Sequence, residues 1–411
     1  MLDTKRLIRW TSMCAAIASL GIGSPAAMAT RAEAAESATS AAPLRDVLLV
    51  GNSAAGTVSF LDGHTFQNLG SIDVIPDLQA RLDAMNLVEK TAYDIVGQQE
   101  GGDRFVDDLF VSPDGRTLYV SRGALNDAVA IDIASKNQLW RFKLDGFKAD
   151  HAALSPDGTR LVVSATTAMA AQVLDTSTGL LVGNFATGTY PHQNDYSADG
   201  RRIYNSSIGV VSLPRALDAL KGEKRLTVVD AKTLKVLRTY QFPRGIRPSV
   251  ITADEKTMYT QLSYLNGFVE FDLVAGQITR TVAMPFSAHG GALTPDEYPL
   301  NSAHHGLAIS GDATKLCDVG TIDDYTAIVR RPALTTDGFV HYPTDSLPYW
   351  ATTSVDGNHC FVSLSKANAI SVIDYRTATE VARVPVGAFP QRERIGKLPS
   401  TVLSALSPTP G

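Results

Sequence analysis

The 411-residue sequence predicts an all-β fold: a seven-bladed β-propeller of four-stranded blades, closed by pairing of N- and C-terminal strands in one blade. Three observations predict it. A Ser/Thr-x-Asp turn between two short apolar runs occurs six times. An apolar strand ending in Asp recurs at Asp62, Asp132, Asp175, Asp230, Asp272 and Asp374, and the Asp132–Asp175 and Asp230–Asp272 steps are 43 and 42 residues. Finally, each end of the repeat region lacks what the other supplies.

In chain order, residues 46–74 offer three outer strands, among them Val47–Val50 and Thr57–Phe60, with no inner strand before them. The tetrads follow at Ser112-Pro113-Asp114-Gly115, Ser155-Pro156-Asp157-Gly158, Ser197-Ala198-Asp199-Gly200, Thr252-Ala253-Asp254-Glu255, Ser310-Gly311-Asp312 and Ser354-Val355-Asp356-Gly357. Asp and Ser bond their own backbone and Gly tolerates positive φ, so each reads as a tight turn. The flanking β-branched and aromatic residues favour strands. At 330–342, where a seventh strand-ending Asp is expected, Arg330-Arg331-Pro332 stands instead. Phe389-Pro390-Gln391-Arg392 resembles the approach to an inner strand at Tyr190-Pro191-His192-Gln193, so 389–397 is expected to complete the first blade.

The domain layout read from the sequence is a signal peptide at 1–29, a disordered lead-in at 30–44, the propeller at 45–399 and a flexible tail at 400–411. Lys5, Arg6 and Arg9 precede an apolar run, Met13–Gly23, and Ala27-Met28-Ala29 forms a small-x-small cleavage site. Cys14 lacks the small residues of a lipobox before it. The apolar run is far short of the roughly 20 residues that span a bilayer. The expected location is periplasmic or secreted, without a membrane span. Removing the segment's net +2 from −5 leaves a charge near −7 with no basic runs, which argues against nucleic acid and anionic membranes. A small molecule or another exported protein is the expected partner, and the chain is expected to be a monomer. Cys317 and Cys360 fall in strands of neighbouring repeats and are expected as two buried thiols, a disulfide requiring that the strand geometry permit it. The sequence holds no CxxC, zinc pattern, phosphate loop, dinucleotide fingerprint, CxxCH haem site or nucleophile elbow.

These marks resemble the bacterial YVTN/YncE-like propeller family, carried by Leu154-Ser155-Pro156-Asp157-Gly158-Thr159-Arg160-Leu161-Val162-Val163-Ser164 and by Ile373-Asp374-Tyr375-Arg376-Thr377. The similarity covers about 46–397 and implies the fold. That family includes binding and surface proteins, and the wider propeller group holds lactonases, polysaccharide lyases and copper or quinone enzymes. The resemblance does not choose among them.

Three long insertions, Ile75–Asp103, Ile208–Lys224 and Pro285–Ala303, fall at joints that open on one face of a propeller, and Leu78–Leu87 and Leu213–Leu220 read as short helices. Five residues before each turn Ser or Thr stand Asp107, Asp150, His192, Arg247, His305 and Tyr349; the next position adds Asp108, His151, Gln193 and Trp350. Pseudo-symmetry brings them to the channel mouth. Three readings of this ring stay open. His192 and His305, helped by His304 or His151, are candidate ligands for a divalent metal, the one cofactor the residues suggest. Alternatively Arg247 clamps a carboxylate while His192 or His305 moves a proton and Tyr349 assists, as a lyase, lactonase or related hydrolase would require on a small carboxylate-bearing or carbohydrate-derived substrate; Asp107, Asp108, Asp150, His151, Gln193 and Trp350 would then contact substrate. In the third, the ring only solvates the channel. The expected function is an exported binding or interaction protein with its ligand at the channel mouth, the enzyme being the alternative. Asp195 and Asn205 are further channel candidates, and His289 is expected in an exposed loop.

Overall fold

The recurring tetrad caps itself. In the structure, a computed structural model describing residues 43–408, the first hydroxyl donates to the aspartate two residues on, at 2.6 Å for Ser155–Asp157 and 2.7 Å for Thr252–Asp254. The same hydroxyl accepts the backbone N–H five residues on, as Ser155 does from Arg160 at 2.9 Å. Gly158 holds φ at +73° in this turn; Glu255 and Ala313 take the same left-handed backbone, at +54° and +56°, in the two copies without that glycine. The strand-ending aspartates cap the following turn: Asp132 accepts the Ser135 N–H at 2.7 Å and Asp374 the Thr377 N–H at 2.8 Å.

These two turns chain four antiparallel strands into a blade, and there are seven blades. The second runs Asp108–Val111, Thr117–Arg122, Asp127–Asp132 and Gln138–Lys143 from the channel outward. The inner strands of the third to seventh blades are Ala149–Leu154, Pro191–Tyr196, Ile246–Ile251, Leu307–Ile309 and Pro348–Thr353. The first blade takes its three outer strands from Leu44–Asn52, Thr57–Asp62 and Asn68–Asp73 and its inner strand, Pro390–Pro399, from the C-terminus. Leu44 pairs with Pro399 and Leu49 with Arg394, so the expected closure is present. Tyr190 and Phe389, aligned in the sequence, both precede the strand-opening proline with φ near +55° (+55° and +57°).

Adjacent blades pack apolar faces on one another. Val47, Phe60, Val106 and Val120 fill the gap between the first and second blades, and Leu48, Leu61, Phe361 and Ile370 that between the first and seventh. Closure therefore buries both flanks of the first blade. Cys317 and Cys360, in the sixth and seventh blades, form a disulfide with Cα atoms 6.5 Å apart. This corrects the expectation of two thiols: the cysteines face each other across the wall between the blades, a geometry invisible in their spacing.

Three expectations reach outside the described residues: the signal peptide wholly, the lead-in as far as residue 42, and the tail over 409–411. Leu44 already belongs to a strand. The tail expected to be flexible differs over 400–408, where a helical turn, α3 (Ser400–Leu403), buries Val402, and Ser407 bridges to Ser71. Three apolar residues, Val402, Leu403 and Leu406, dock it against the first two blades. No described helix is long and apolar enough to cross a membrane.

The first insertion folds into α1 (Leu78–Ala84) and α2 (Leu87–Glu100) rather than one helix. Met85 ends the first and Asn86 caps the second: the Asn86 side chain accepts the Val88 and Glu89 N–H groups while Glu89 reaches back, a reciprocal box. The second insertion contains a 3₁₀ turn at Arg215–Leu220.

Candidate functional site

Five inner strands carry an extra residue at the point that matters. On Pro191–Tyr196, Pro191 pairs with Ser207 and Asn194 with Asn205, so His192 and Gln193 together oppose one residue. The same two-against-one irregularity falls at Asp150-His151, Arg247-Pro248 and Tyr349-Trp350, and a shift marks Gln391 on the closing strand. A bulge re-aims side chains that a regular strand would send to opposite faces. Consecutive residues such as Asp150 and His151 both join the site for this reason.

The bulges gather an aromatic and cationic cluster. The imidazole centroids of His151 and His192 lie 4.1 Å apart, and those of His192 and His305 5.6 Å. His305 stacks on Tyr349 at 4.0 Å and donates from Nδ1 to the Tyr349 carbonyl, 2.9 Å away. Trp350 flanks His151 at 5.2 Å and His305 at 6.0 Å. The Arg392 guanidinium lies 4.4 Å over the Trp350 ring and meets both ring nitrogens of His151. Burial, then the charges of Arg392, Arg247 and neighbouring groups, pushes all three histidines well below their ordinary value, so they are neutral at neutral pH.

Above this cluster is an inner chamber of about 40 Å³, lined by Asp107, Asp150, His192, Arg247, Tyr349 and Gln391 from six blades and roofed by all three insertions: Val96 and Glu100, Ile208 and Val211, and Leu300. By the measure in which one water needs 10–15 Å³, it holds roughly three waters or one carboxylate group. An adjoining vestibule of about 310 Å³ shares the Glu100, Leu300, Tyr349 and Gln391 walls. The insertions thus converge on one mouth, as their positions in the repeat required.

Lys148 orders the acidic side of the chamber. Its ammonium sits 2.5 Å from Glu100 and 3.5 Å from Asp107. Burial alone would lower it, but Asp107, Glu100 and Asp150 hold it well above its ordinary value. Asp107 is instead pushed up to about 8 by burial, which the Lys148 charge only partly offsets. The two shifts reconcile because Glu100, the nearer carboxylate, is the counterion and Asp107 is the surplus acid. Asp107 rests on the Gly123 backbone, where a Cβ would come within 1.5 Å of its Oδ2.

Arg247 and Arg392 have the reverse problem. Each is 1% exposed. Arg247 donates to Ser263 Oγ at 3.1 Å and to the Leu300 carbonyl, and burial lowers it to about 10. Arg392 donates to the Gln391 carbonyl at 2.9 Å and to His151. Neither forms an ion pair with a carboxylate among the described residues. Arg122 and Arg394 show the usual alternative: Asp127 and Asp77 hold the first, and Asp108 the second, above the ordinary value despite burial.

The predicted ring is divided by depth. Asp107, Asp150, His192, Arg247 and Tyr349 face the chamber, whereas His305, His151 and Trp350 form its floor. Asp108 lies deeper, gripped by Arg394 at 2.9 and 2.7 Å. Gln193 bridges Asp195 and the Ser249 carbonyl at 2.6 and 2.9 Å. Asp195, pushed up to about 7 by burial, is in the field of Arg394 and Asp108. Asn205 bonds Asn194 and Ser164 inside the strands, and His289 is exposed. His304 is not brought to the cluster: its Nδ1 faces Asp318 at 3.0 Å, because a residue one place along the chain from His305 leaves on the other side. Asp150, His151 and His192 place one ligand atom each within 4.8 Å of one another and could hold a metal ion, although Arg392 sets a positive charge against His151.

Sequence reasoning missed Gln391, Arg392, Lys148 and Glu100. The first two were legible: the alignment of Phe389-Pro390-Gln391-Arg392 with Tyr190-Pro191-His192-Gln193 puts them in register with His192 and Gln193. They escaped because the ring was counted from the Ser/Thr-x-Asp turns, and the closing strand has none. No comparable signal marks Glu100 or Lys148.

No family model matches the chain, and no curated protein matches it. Among solved structures it is similar to hydrazine synthase of Kuenenia stuttgartiensis, with a TM-score of 0.56 and 16% identity over 72% of this chain and 96% of that one. It is also similar to the dihydro-heme d1 dehydrogenase NirN in complex with DHE, with a TM-score of 0.55 and 12% identity over 87% of this chain and 76% of that one. At these identities the likeness shows the propeller fold and nothing of the site.

Proposed function

We propose that this protein is an exported binding protein that captures a small carboxylate-bearing molecule at the channel mouth. The observation that carries the reading is the pair of buried guanidiniums, Arg247 and Arg392, that line one chamber without a carboxylate partner among the described residues. Buried charges are ordinarily paired, because an isolated one forfeits its hydration for nothing. A ligand carboxylate supplies the missing charge, and guanidinium forks suit its two oxygens. Export is supported by the signal-like first 29 residues and by the buried Cys317–Cys360 disulfide. The inner chamber is too small for a tetrapyrrole, so no dihydro-heme is carried over from NirN.

A second reading, turnover of that ligand, is favoured by one observation: the buried His192 Nδ1 has no hydrogen-bond partner among the described residues and its imidazole is neutral, as a general base requires. Asp107, protonated up to about 8, stands across the same chamber as a proton donor.

Calorimetry with a panel of small carboxylates tests the binding reading. Acetate-to-hexanoate monocarboxylates should bind, and Arg247→Gln should weaken them at least tenfold. Unchanged affinity in Arg247→Gln would sink the assignment. For turnover, His192→Ala should abolish product formation while ligand binding persists.

A further inference from the structure

A third arginine stands at the vestibule in the same condition as the two inside. Arg104 follows α2 and is 7% exposed. Among the described residues its guanidinium donates only to main-chain carbonyls, those of Asp103 at 2.9 Å, Glu100 at 3.0 Å and Gly101 at 3.4 Å. Its other face lies 3.9 Å over the Phe389 ring. The two glycines after α2 make this possible. Gly101 and Gly102 take φ of +69° and +130°, and a Cβ on Gly102 would press on Arg104 Nη1 at 3.2 Å. No carboxylate is within ion-pair distance of Arg104 among the described residues. Burial holds it below the ordinary arginine value, as it does Arg247.

Each lysine of the two chambers has a carboxylate partner. Lys148 is taken by Glu100, and Lys366, at the vestibule, by Asp345 at 2.5 Å. The arginines have no such partner among the described residues: Arg247 and Arg392 within, where Asp150 also faces the chamber and lies in the field of Arg247, and Arg104 without. Between them one part of the vestibule wall is apolar, built from Pro299, Leu300, Leu347 and the Phe389 ring, beside the polar Gln99 and Gln391. The inner chamber admits one carboxylate group, so the body of any larger ligand must lie in the vestibule, against that wall and toward Arg104.

We propose that the ligand carries two anionic groups joined by a short apolar spacer: a dicarboxylate whose first carboxylate enters between Arg247 and Arg392 and whose second is received by Arg104. This rests on the carboxylate-binding reading above and names the substrate class for it. Lys366, already paired and half-exposed, plays no part. Glu100, which lines both chambers, repels a second anion less than its position suggests because Lys148 neutralises it.

The test is calorimetry at pH 7 on the full exported chain, with α,ω-dicarboxylates from succinate to adipate and monocarboxylates matched in carbon number. The best dicarboxylate should bind at least tenfold more tightly than its monocarboxylate partner. Arg104→Gln should erase that gain and leave the monocarboxylate affinity within twofold, while Arg104→Lys retains part of the gain. Equal affinity of the two series in the unmodified protein overturns the proposal without reference to any variant, so a variant that fails to fold does not shield it. An Arg104→Gln protein that loses monocarboxylate and dicarboxylate equally also overturns it. If neither series binds and Arg247→Gln changes nothing, the parent reading falls as well; if monocarboxylates bind through Arg247 with no dicarboxylate gain, only this proposal falls.

Discussion

Replacing Cys317 and Cys360 by alanine together should cost the propeller about 5 kcal/mol of unfolding free energy. The disulfide closes a loop with a sequence separation of 43 and joins two neighbouring blades. In the chain-entropy treatment, a loop of that length restricts the unfolded chain by about 13 cal/mol/K, or roughly 4 kcal/mol at 25 °C. Both residues are fully buried, so truncation also removes two packed sulfur atoms and adds on the order of 1 kcal/mol. Urea unfolding of three species separates these contributions: the oxidised protein, the same protein refolded with reduced thiols, and the double-alanine variant. The reduced protein should lose most of the 4 kcal/mol, and the variant slightly more. A reduced protein within 1 kcal/mol of the oxidised one would refute the reasoning, because the cross-link would then constrain an unfolded chain already held together in that region.

Four further outcomes are expected. Arg394→Met leaves Asp108, fully buried, with only the Leu109 and Ala152 N–H groups at 3.0 and 3.1 Å, and should cost about 3 kcal/mol, the low end for a broken buried pair; guanidinium chloride midpoints measure it, and a loss below 1 kcal/mol would count against it. Because the folded Asp107 is raised from 3.8 to about 8, its stabilising contribution is complete below the unfolded value and is lost as pH rises to about 8; Asp107→Asn should therefore gain on the unmodified protein between pH 5 and pH 8.5 in thermal melts, and a constant difference across that range would contradict the assignment. Carboxylate affinity should fall over the upper part of the same window as Asp107 becomes an anion facing the ligand, and the fall should be missing in Asp107→Asn. Truncation after Ala388 removes the inner strand that pairs along Leu44–Asn52 and should abolish cooperative unfolding, read by near-ultraviolet circular dichroism.

The blade count was legible because its signals are local. A Ser or Thr that bonds an Asp two residues on, and an Asp that caps the next turn, are contacts within five residues, so they leave a pattern that repeats with the blade. Phe389-Pro390 announced the closing strand for the same reason: it copies Tyr190-Pro191, and both use a left-handed residue before the proline. The faces of the three insertions followed from which joint each interrupts. Glu100, Lys148 and Arg104 were illegible because their roles depend on where an insertion folds back, and no period constrains that.

The sequence by itself determined the ring and its closure, and put Asp107, Asp150, His192, Arg247 and Tyr349 at equivalent positions of their repeats, because short-range turn chemistry repeated at a fixed interval leaves the chain one register. Tertiary structure alone decided what those residues became. The bulges turn Asp150 and His151, or Tyr349 and Trp350, to one side, while His304 and His305 part. Contacts across the ring, from the third blade to the closing strand or from Arg247 to the Leu300 carbonyl, join residues whose sequence distance carries no information. Whether a buried arginine finds a carboxylate is settled by that geometry, and for Arg247 and Arg392 it leaves the charge facing an enclosed chamber.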